Sequence, residues 1–319
     1  MHTLVTGGAG FIGSNLARQL LAGGHTVTVL DNLQSGYDSN LADLPVRFLQ
    51  GDVRSAETVV EAARGTECIF HLAASVGNRR SIESPVEDAH INVLGTLHVL
   101  EAARQCGIRK VVFSSSAGIF GELKTLPIRE DHPVEPVTPY GASKLGAEKE
   151  GLAYAGIHGV DFVSLRYFNV FGPNQRLDPY GNAIPIFAFR LLTGCPIVIF
   201  GDGEQTRDFV SVADVVQANI RAALQPGLRG AFNIGSGART TVNAIVAKLA
   251  RLSGLQPEIE HWPPRAGDVR DSQADIGAAR RAFGYEPGDD LDNRLAEYLA
   301  WVRGELAAHG GEPSILPGK

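Results

Sequence analysis

The sequence has few cysteines, methionines and tryptophans, and it has no long run of apolar residues. Its 319 residues include three cysteines, one methionine and two tryptophans. Cys68, Cys106 and Cys195 form no CxxC pair and are too few to brace a chain of this length, so we expect three buried, small apolar side chains. No apolar run approaches the ~20 residues that cross a bilayer, and the N-terminus lacks the features of a signal peptide. These absences predict a cytoplasmic protein.

An excess of charge of one sign is also missing. The chain has 29 Lys and Arg against 35 Asp and Glu, a net charge of −6, so we expect neither nucleic acid nor a membrane surface as partner. Nine histidines are scattered without an HxxxH or HExxH spacing. The sequence therefore predicts no metal site.

Runs of strand length alternate with helical patterns in the first half of the chain. Apolar runs such as TVTVL, KVVFSSS and DFVSLRYF are separated by helical stretches, one of them a long helix near 86–105. This alternation predicts an α/β fold with a parallel sheet covered by helices on both faces. Beyond about residue 170, Gly, Pro and Asn cluster and the alternation weakens. We predict one domain over 1–170, to which about 207–230 returns, and a second over 171–319.

The stretch TGGAGFIG at 6–13 lies between a predicted strand and a predicted helix. Gly7, Gly10 and Gly13 would permit a tight turn and a close approach of the backbone to a pyrophosphate, which would rest on the helix N-terminus. A tight turn without a ligand is the alternative interpretation. The motif thus predicts dinucleotide binding.

Acidic residues end the next two predicted strands. Asp31 could accept hydrogen bonds from both hydroxyls of an adenosine ribose and would repel a 2′-phosphate, which favours NAD over NADP; the alternative is a turn residue. Asp52 could hold the adenine amino group or cap a helix. Asn92, in HINVLGT, is either a buried polar side chain at a backbone break or an ordinary exposed residue.

Tyr140 and Lys144 lie one helical turn apart in PYGASK, with small residues between them. Residues at i and i+4 share a helix face. A nearby cation favours the phenolate form of tyrosine, whose free pKa is about 10, so the pair could transfer a proton near neutral pH. A surface pair that merely shares a face is the alternative for an isolated YxxxK.

Together, these motifs resemble the extended short-chain dehydrogenase/reductase family. The matching stretches are TGGAGFIG, Asp31, GD at 51–52, HLAA at 71–74, NVLGT at 92–96, FSSS at 113–116 and PYGASK at 139–144. RYFNVFGP at 166–173, GDGEQTRDFVSVADV at 201–215, FNIGSG at 232–237 and RAGDV at 265–269 are similar to the nucleotide-sugar half of its sugar-epimerase members. The resemblance implies a modified Rossmann domain, with a doubly wound parallel sheet, for NAD. It also implies a smaller α/β C-terminal domain for a nucleoside-diphosphate sugar, usually UDP-linked, and a homodimer through a four-helix bundle.

The resemblance also implies residue roles. Tyr140 would be the general base for the sugar 4-hydroxyl, and Lys144 would hold the nicotinamide ribose and, with the nicotinamide charge, lower the tyrosine pKa. Ser116 would bridge the sugar hydroxyl and the phenol; Ser114 and Ser115 suit this role less well, because strand side chains alternate in direction. The implied cofactor contacts are Gly7, Gly10, Phe11, Ile12, Gly13, Asp31, Asn32, Asp52, Val53, Leu72, Ala73, Ala74, Asn92, Ser114, Tyr140, Lys144 and Tyr167.

The residues after the serine run bear on the reaction. Related dehydratases and decarboxylases carry an acidic residue there, whereas this chain has Ala117 and Gly118. That favours C4 epimerisation through a 4-keto sugar, with NAD regenerated in each turnover. A net oxidoreductase or dehydratase, and a catalytically inactive NAD-binding regulator, are the alternatives. Many sugar epimerases have the sequence SSSATVYG here, whereas this chain has Gly118 in place of the threonine and Phe120 in place of the tyrosine.

The substrate residues follow from the same resemblance. Ser272 occupies a gate position at which a tyrosine restricts some epimerases to unacetylated hexoses, so we expect UDP-N-acetylglucosamine and UDP-N-acetylgalactosamine to be accepted. UDP-glucuronate remains an alternative. Asn169, Arg207, Arg265 and Asp268 match positions around the nucleotide diphosphate, where an arginine fork suits phosphate.

Overall fold

The computed structural model describes residues 1–175, 182–264, 269–288 and 290–308, so the predicted substrate-binding residues Arg265 and Asp268 lie outside the described residues. The strands are β1 His2–Thr6, β2 Thr26–Asp31, β3 Arg47–Gln50, β4 Cys68–His71, β5 Lys110–Ser116, β6 Asp161–Tyr167, β7 Asn169–Phe171, β8 Ile197–Phe200, β9 Thr206–Arg207, β10 Phe209–Ser211, β11 Gly230–Ile234, β12 Thr240–Thr241 and β13 Ile259–Trp262. The helices are α1 Phe11–Ala22, α2 Ala56–Ala63, α3 Asn78–Glu83, α4 Pro85–Ala89, α5 Gly95–Gln105, α6 Pro139–His158, α7 Ala183–Leu192, α8 Val212–Leu224, α9 Val242–Ser253, α10 Gly277–Phe283 and α11 Leu291–Ala308. A π-helical turn covers His90–Leu94, and 3₁₀ turns cover Asp38–Leu41 and Ala117–Ile119.

The predicted parallel sheet is confirmed. In the described residues it has seven strands in the order β11-β6-β5-β4-β1-β2-β3, and every neighbouring pair is parallel. The strand order reverses between β1 and β4. In open α/β sheets, ligands bind at the carboxyl ends of the strands beside such a reversal, so the topology places the candidate site at that edge.

Helices cover both faces of the sheet, as buried parallel strands require. On one face α1, α8 and α10 contribute buried side chains such as Leu16, Val215 and Phe283. On the other, α2, α5 and α6 contribute side chains such as Val59 and Leu100. The fold is thus the doubly wound α/β class that the sequence and the resemblance predict.

A third core lies beyond residue 170. It joins α7, α9 and α11 to β8 through buried side chains such as Ile184, Leu249 and Leu299. Yet α8 packs against α1, and β11 pairs with β6, although both come late in the chain. The predicted boundary between 1–170 and 171–319 stays a prediction.

The long helix predicted near 86–105 has a π-helical turn in its middle, between α4 and α5. Asn92 in this turn is buried and exchanges hydrogen bonds with the backbone of Ser75, which favours the first of its two sequence interpretations. Gly95 follows the turn, and a Cβ there would lie 2.8 Å from Cγ2 of Val53. Such π turns occur frequently at functional sites.

The expectation of three buried cysteines is wrong for two of them. Cys68 is buried, Cys106 is half-buried and Cys195 is exposed. Cys195 lies in the connection between α7 and β8, where the chain runs over the surface. In the described parts of the chain, no helix is long and apolar enough to cross a membrane, and no three His, Cys, Asp or Glu side chains group as metal ligands.

Candidate active site

The glycine turn connects β1 to α1 at the switch point of the sheet. Gly7 has φ +70°, and a Cβ there would lie 2.7 Å from the backbone nitrogen of Ala73. A Cβ at Gly13 would lie 2.2 Å from the carbonyl oxygen of Gly7. Both contacts are too short for any side chain, so glycine is required for the turn to pack this tightly against the loop after β4.

The N-terminus of α1 is suited to an anion. Its N-cap is Gly10, and within the described residues no side chain caps the helix and no acidic residue occupies its first turn. The first amides, those of Phe11, Ile12 and Gly13, therefore keep hydrogen-bonding capacity at the positive end of the helix dipole. A pyrophosphate is the kind of group that binds there.

Asp31 ends β2 beside this turn and is 7% exposed. Its carboxylate accepts hydrogen bonds from the backbone nitrogens of Ala9, at 2.9 Å, and Leu33, at 2.8 Å. Burial raises its pKa, and the two backbone hydrogen bonds oppose that rise. The carboxylate has further lone pairs, so it fits the ribose of NAD while it holds the glycine turn in place.

The residue predicted to bind the adenine amino group, Asp52, follows the end of β3. Asp52 accepts from the Asn32 side chain at 2.7 Å and from three nitrogens of Arg54, the backbone nitrogen, Nε and Nη2. These hydrogen bonds, that from Arg54 foremost, hold the pKa of Asp52 at about 2. The N-cap of α2 is Ser55 rather than Asp52, so the alternative helix-cap role is wrong. Val53, the next residue, is buried.

The loop after β4 carries Leu72, Ala73 and Ala74, all half-buried beside the glycine turn. The Asn92 side chain uses its oxygen on the Ser75 nitrogen and its two amide hydrogens on the Ser75 carbonyl and the Ser143 hydroxyl. It therefore supports this loop from behind, and its own contact with the cofactor stays a prediction.

Tyr140 and Lys144 lie in the first turns of α6, as the sequence predicts. Thr138 caps this helix by accepting from the Gly141 nitrogen, and Pro139 opens it. Lys144 is 2% exposed, and its ammonium donates to the carbonyl oxygen of Ser114 at 2.8 Å. Burial lowers its pKa to about 7. The buried Lys144 ammonium therefore loses its proton far more readily than the ammonium of an exposed lysine.

Tyr140 does not show the lowered pKa that sequence reasoning attributes to Lys144. Burial raises the pKa of the half-buried phenol, a hydrogen bond with Ser116 opposes the rise, and the charge of Asp88 adds to it. The sequence argument treats Lys144 as a full cation in water. Burial, which the sequence does not show, lowers the pKa of Lys144 and so reduces its positive charge near neutral pH. Burial also disfavours the phenolate form of Tyr140.

Ser116 ends β5 opposite Tyr167 of β6. It is half-buried, whereas Ser114 and Ser115 are buried. Its hydroxyl accepts from the Gly118 nitrogen at 3.1 Å. Of the three serines, Ser116 is therefore the one that faces the site with Tyr140.

The Tyr167 side chain, predicted to contact the cofactor, packs against α8. Its hydroxyl is buried and forms hydrogen bonds with the side chain of Asn219 on α8, at 3.0 and 2.8 Å. Burial raises its pKa, with the Asn219 hydrogen bond opposing. The predicted contact between Tyr167 and the cofactor stays a prediction.

The two departures from the family pattern have different structural meanings. Gly118 is exposed, and a Cβ there would lie 3.3 Å from Oγ of Ser116 and 3.7 Å from Cε1 of Tyr140, so a side chain would enter the site. Phe120 is fully buried, with the Arg166 guanidinium over its ring. The departure at position 120 therefore lies in the packed core of the protein.

The described substrate-side residues come together beside β10. β7 pairs with β10 so that Asn169 lies opposite Phe209, and the Arg207 guanidinium donates to the carbonyl oxygens of Thr206 and Arg270. Ser272, two residues beyond Arg270, is 6% exposed.

Sequence reasoning missed Asp208. Its buried carboxylate accepts from the backbone nitrogens of Ser236, Gly237 and Ala274 and from the Ser236 hydroxyl. It therefore holds the loop after β11 and the Ser272 segment against β10. An acidic residue inside an apolar strand pattern was the available signal.

The known proteins similar to this chain agree with the geometry. The model of the NAD dependent epimerase/dehydratase family matches residues 3–235. The UDP-glucose 4-epimerase of Mycolicibacterium smegmatis is 41% identical over 95% of this chain and 99% of its own length.

Solved structures show the same likeness. The UDP-glucose 4-epimerase of Thermotoga maritima with UDP-glucose has a TM-score of 0.91 at 38% identity, covering 96% of this chain and 100% of its own. The UDP-N-acetylglucosamine 4-epimerase of Methanobrevibacter ruminantium, in complex with UDP-N-acetylmuramic acid, has a TM-score of 0.91 at 32% identity, covering 95% and 98%. NAD is the cofactor, and the glycine turn, the uncapped α1 and Asp31 fit it. The chain belongs to the NAD-dependent epimerase/dehydratase family, within the extended short-chain dehydrogenases/reductases that its motifs predict.

Proposed function

We propose that this protein is an NAD-dependent isomerase that inverts C4 of a UDP-hexose. The observation that carries the proposal is the meeting of Ser116, Tyr140 and Lys144 at the carboxyl end of β5, beside the glycine turn. Ala117 and Gly118 follow Ser116 without a carboxylate. The site therefore has a base for one hydroxyl and no second acid or base at this position for an elimination.

In this mechanism, NAD would supply the acceptor for the hydride that leaves C4 and the donor for its return to the other face of the sugar. The Tyr140 phenolate takes the proton of the 4-hydroxyl, with Ser116 hydrogen-bonded to both oxygens, and C4 becomes a ketone. After the 4-keto sugar turns over, Tyr140 gives the proton back to the oxygen of the inverted centre. Protons and hydride balance, so nothing is consumed.

The charge state of Tyr140 must depend on what binds. Burial raises its pKa in the protein by itself, so the phenolate needs added positive charge. Lys144 and the nicotinamide ring are the two sources of such charge, and both lower the pKa of a nearby phenol. We infer that the base becomes active only in the cofactor complex.

We extend the proposal to N-acetylated sugars. Ser272 is small and lies in the segment that Asp208 holds against β10, next to Arg207. The resemblance places a bulky tyrosine at this position in epimerases limited to unacetylated hexoses. The likeness to the UDP-N-acetylglucosamine 4-epimerase of M. ruminantium also supports the acceptance of N-acetylated sugars. Asn169, Arg207, Arg265 and Asp268 are proposed to bind the nucleotide diphosphate.

We also propose the predicted domain organisation and a homodimer. Residues 1–170 with about 207–230 would bind NAD, and the rest of 171–319 would bind the nucleotide sugar. The helical layer of α4 to α6 exposes Val86, Leu94 and Ile157 at 68%, 45% and 76%, a pattern typical of an association surface. The cytoplasmic location stays a prediction.

The test is to incubate the purified protein, without added NAD, with UDP-N-acetylglucosamine, UDP-glucose or UDP-glucuronate, and to separate the products. We expect the C4 epimer of the first two without accumulation of NADH. A keto sugar or NADH as final product would contradict the epimerase and indicate an oxidoreductase or a dehydratase instead. No product from any of the three, even with NAD supplied, would contradict the proposed substrate class.

A further inference from the structure

A buried carboxylate without an assigned role lies behind the proposed catalytic residues. Asp88, on α4, is 1% exposed. Its Oδ2 accepts a hydrogen bond from the Ser143 hydroxyl at 2.5 Å, and its Oδ1 has no hydrogen-bond partner among the described residues. A buried carboxylate with unused acceptor capacity is costly, and such groups concentrate at functional sites.

Ser143 connects this carboxylate to the site. It lies on α6 directly before Lys144 and three residues after Tyr140. Its hydroxyl donates to Asp88 and accepts from the Asn92 amide at 3.0 Å. One chain of hydrogen bonds therefore ties α6 to α4, to the π-helical turn and, through Asn92, to the loop after β4.

Asp88 also acts on Tyr140 and Lys144 through its charge. Lys144 forms no ion pair within the described part of the chain, and its ammonium contacts the Ser114 carbonyl and the face of Phe113. Burial lowers the pKa of Lys144, and the negative charge of Asp88 opposes that effect. The same charge raises the pKa of Tyr140.

The other titratable groups around Lys144 do not supply this charge. His71, on β4, is buried with a pKa of about 3 and is neutral, while Glu148, one turn further along α6, is held by Arg166 of β6. Lys110 and Asp161 begin β5 and β6 and lie at the opposite edge of the sheet. The remaining charged side chains of α3, α4 and α5 lie at the surface: Arg79, Arg80, Glu83, Glu87, Glu101 and Arg104.

We propose that Asp88 is a positioning residue for Tyr140 and Lys144, since its carboxylate anchors α6 through Ser143 and is the buried counter-charge that favours the ammonium form of Lys144. This inference deepens the proposed function and rests on it. Asp88 touches neither sugar nor cofactor; it acts by placing the ammonium and by setting the pH range over which the two side chains work.

The experiment separates charge from tether with two variants. Asp88→Asn keeps the shape and removes the charge, whereas Ser143→Ala keeps the charge and removes the tether. Glu83→Gln, on neighbouring α3, is the control for loss of a surface carboxylate. For each variant, kcat and KM for the UDP-sugar are measured between about pH 5.5 and 10, where such bell-shaped profiles are resolved.

Both limbs of the Asp88→Asn profile should move to lower pH, by about half a unit or more. Loss of a negative charge lowers the pKa of the phenol that must deprotonate and of the ammonium that must stay protonated. Ser143→Ala should keep the limbs and lose about 3- to 10-fold in kcat, the loss of roughly one hydrogen bond. Glu83→Gln should match the unaltered protein.

Unmoved limbs in Asp88→Asn, with only a lower rate or melting temperature, would overturn the proposal, because a structural role alone predicts that result. Asp88→Ser, which makes the same charge change and leaves room for water, is measured beside it in case Asp88→Asn does not fold.

A second readout separates this proposal from the proposed function. If the unaltered protein epimerises no UDP-sugar, the tyrosinate absorbance of the NAD-loaded protein is titrated with and without Asp88→Asn, each against the same protein carrying Tyr140→Phe. A lower midpoint for Tyr140 in Asp88→Asn supports the role of Asp88, and equal midpoints refute it.

Discussion

The Lys144 ammonium donates to the Ser114 carbonyl oxygen at 2.8 Å, which ties α6 to the end of β5 two residues before Ser116. This contact fixes the lysine from the side of the sheet, while Thr138 fixes the start of its helix. Because strand and helix are joined there, Ser116 and Tyr140 come to face the same space. The predictions below follow from this arrangement and from the residues around it.

Replacing Tyr140 with Phe should reduce kcat by about 10²- to 10⁴-fold, the usual contribution of a positioned general base. Retained NAD, measured by absorbance after denaturation, should stay near its normal level. Tyr154→Phe is the matched control, since Tyr154 lies further along the same helix and its hydroxyl contacts Glu101 of α5. Equal rates for Tyr140→Phe and the unaltered protein would remove Tyr140 from the mechanism.

Lys144 should make stability depend on pH in the cofactor-free protein. Its pKa is lowered by burial from 10.5 to about 7, so between those values the unfolded chain binds more protons and stability rises with pH. Below pH 7 both states are protonated and the full cost of burying the charge is present.

Lys144→Met removes this dependence. At pH 6 the unfolding free energy of this variant should exceed that of the unaltered protein, because the variant buries no charge. The difference should shrink by about 2–3 kcal/mol between pH 6 and pH 9. Urea unfolding at the two pH values measures it, and the difference between variants cancels the other groups. An advantage that is the same at both pH values would show that Lys144 keeps an ordinary pKa when buried.

Asp31→Asn should weaken NAD binding by about 10- to 100-fold, because an amide cannot accept from both the Ala9 and the Leu33 nitrogens without turning its own NH₂ towards one of them. The measurement is the NAD retained after gel filtration, followed by titration of the stripped protein. Asp43→Asn, at a surface ion pair with Arg18, is the control. Undiminished NAD binding would mean that Asp31 only shapes the turn.

Ser272→Tyr should lower turnover of UDP-N-acetylglucosamine by at least about tenfold and spare UDP-glucose, because the phenol would occupy the space proposed for the acetamido group. Ser272→Ala is the control and should change neither rate by more than about twofold. Since Ser272 is buried, the melting temperature of each variant is compared first. Unchanged turnover of UDP-N-acetylglucosamine by a folded Ser272→Tyr protein would refute the proposal that the residue at position 272 limits the size of the sugar.

The sequence predicted the sheet and the glycine turn because both depend on local patterns. Continuous apolar runs separated by helical periods require buried parallel strands, and the spacing of Gly7, Gly10 and Gly13 fits only a close turn. The spacing of Tyr140 and Lys144 likewise placed both on one helix. The three cysteines were misjudged, since exposure depends on where a connection runs.

The amino-acid sequence by itself thus determined the fold class, the family and the identity of the proposed reacting side chains. Tertiary structure alone decided their charge states: burial of Lys144 and Tyr140 opposes the ionisation that their spacing suggests. It also brought Asp88, some fifty residues away in the chain, against Ser143. The physical reason is that pKa values and buried hydrogen bonds depend on desolvation and on partners from distant segments, and neither is written in local spacing.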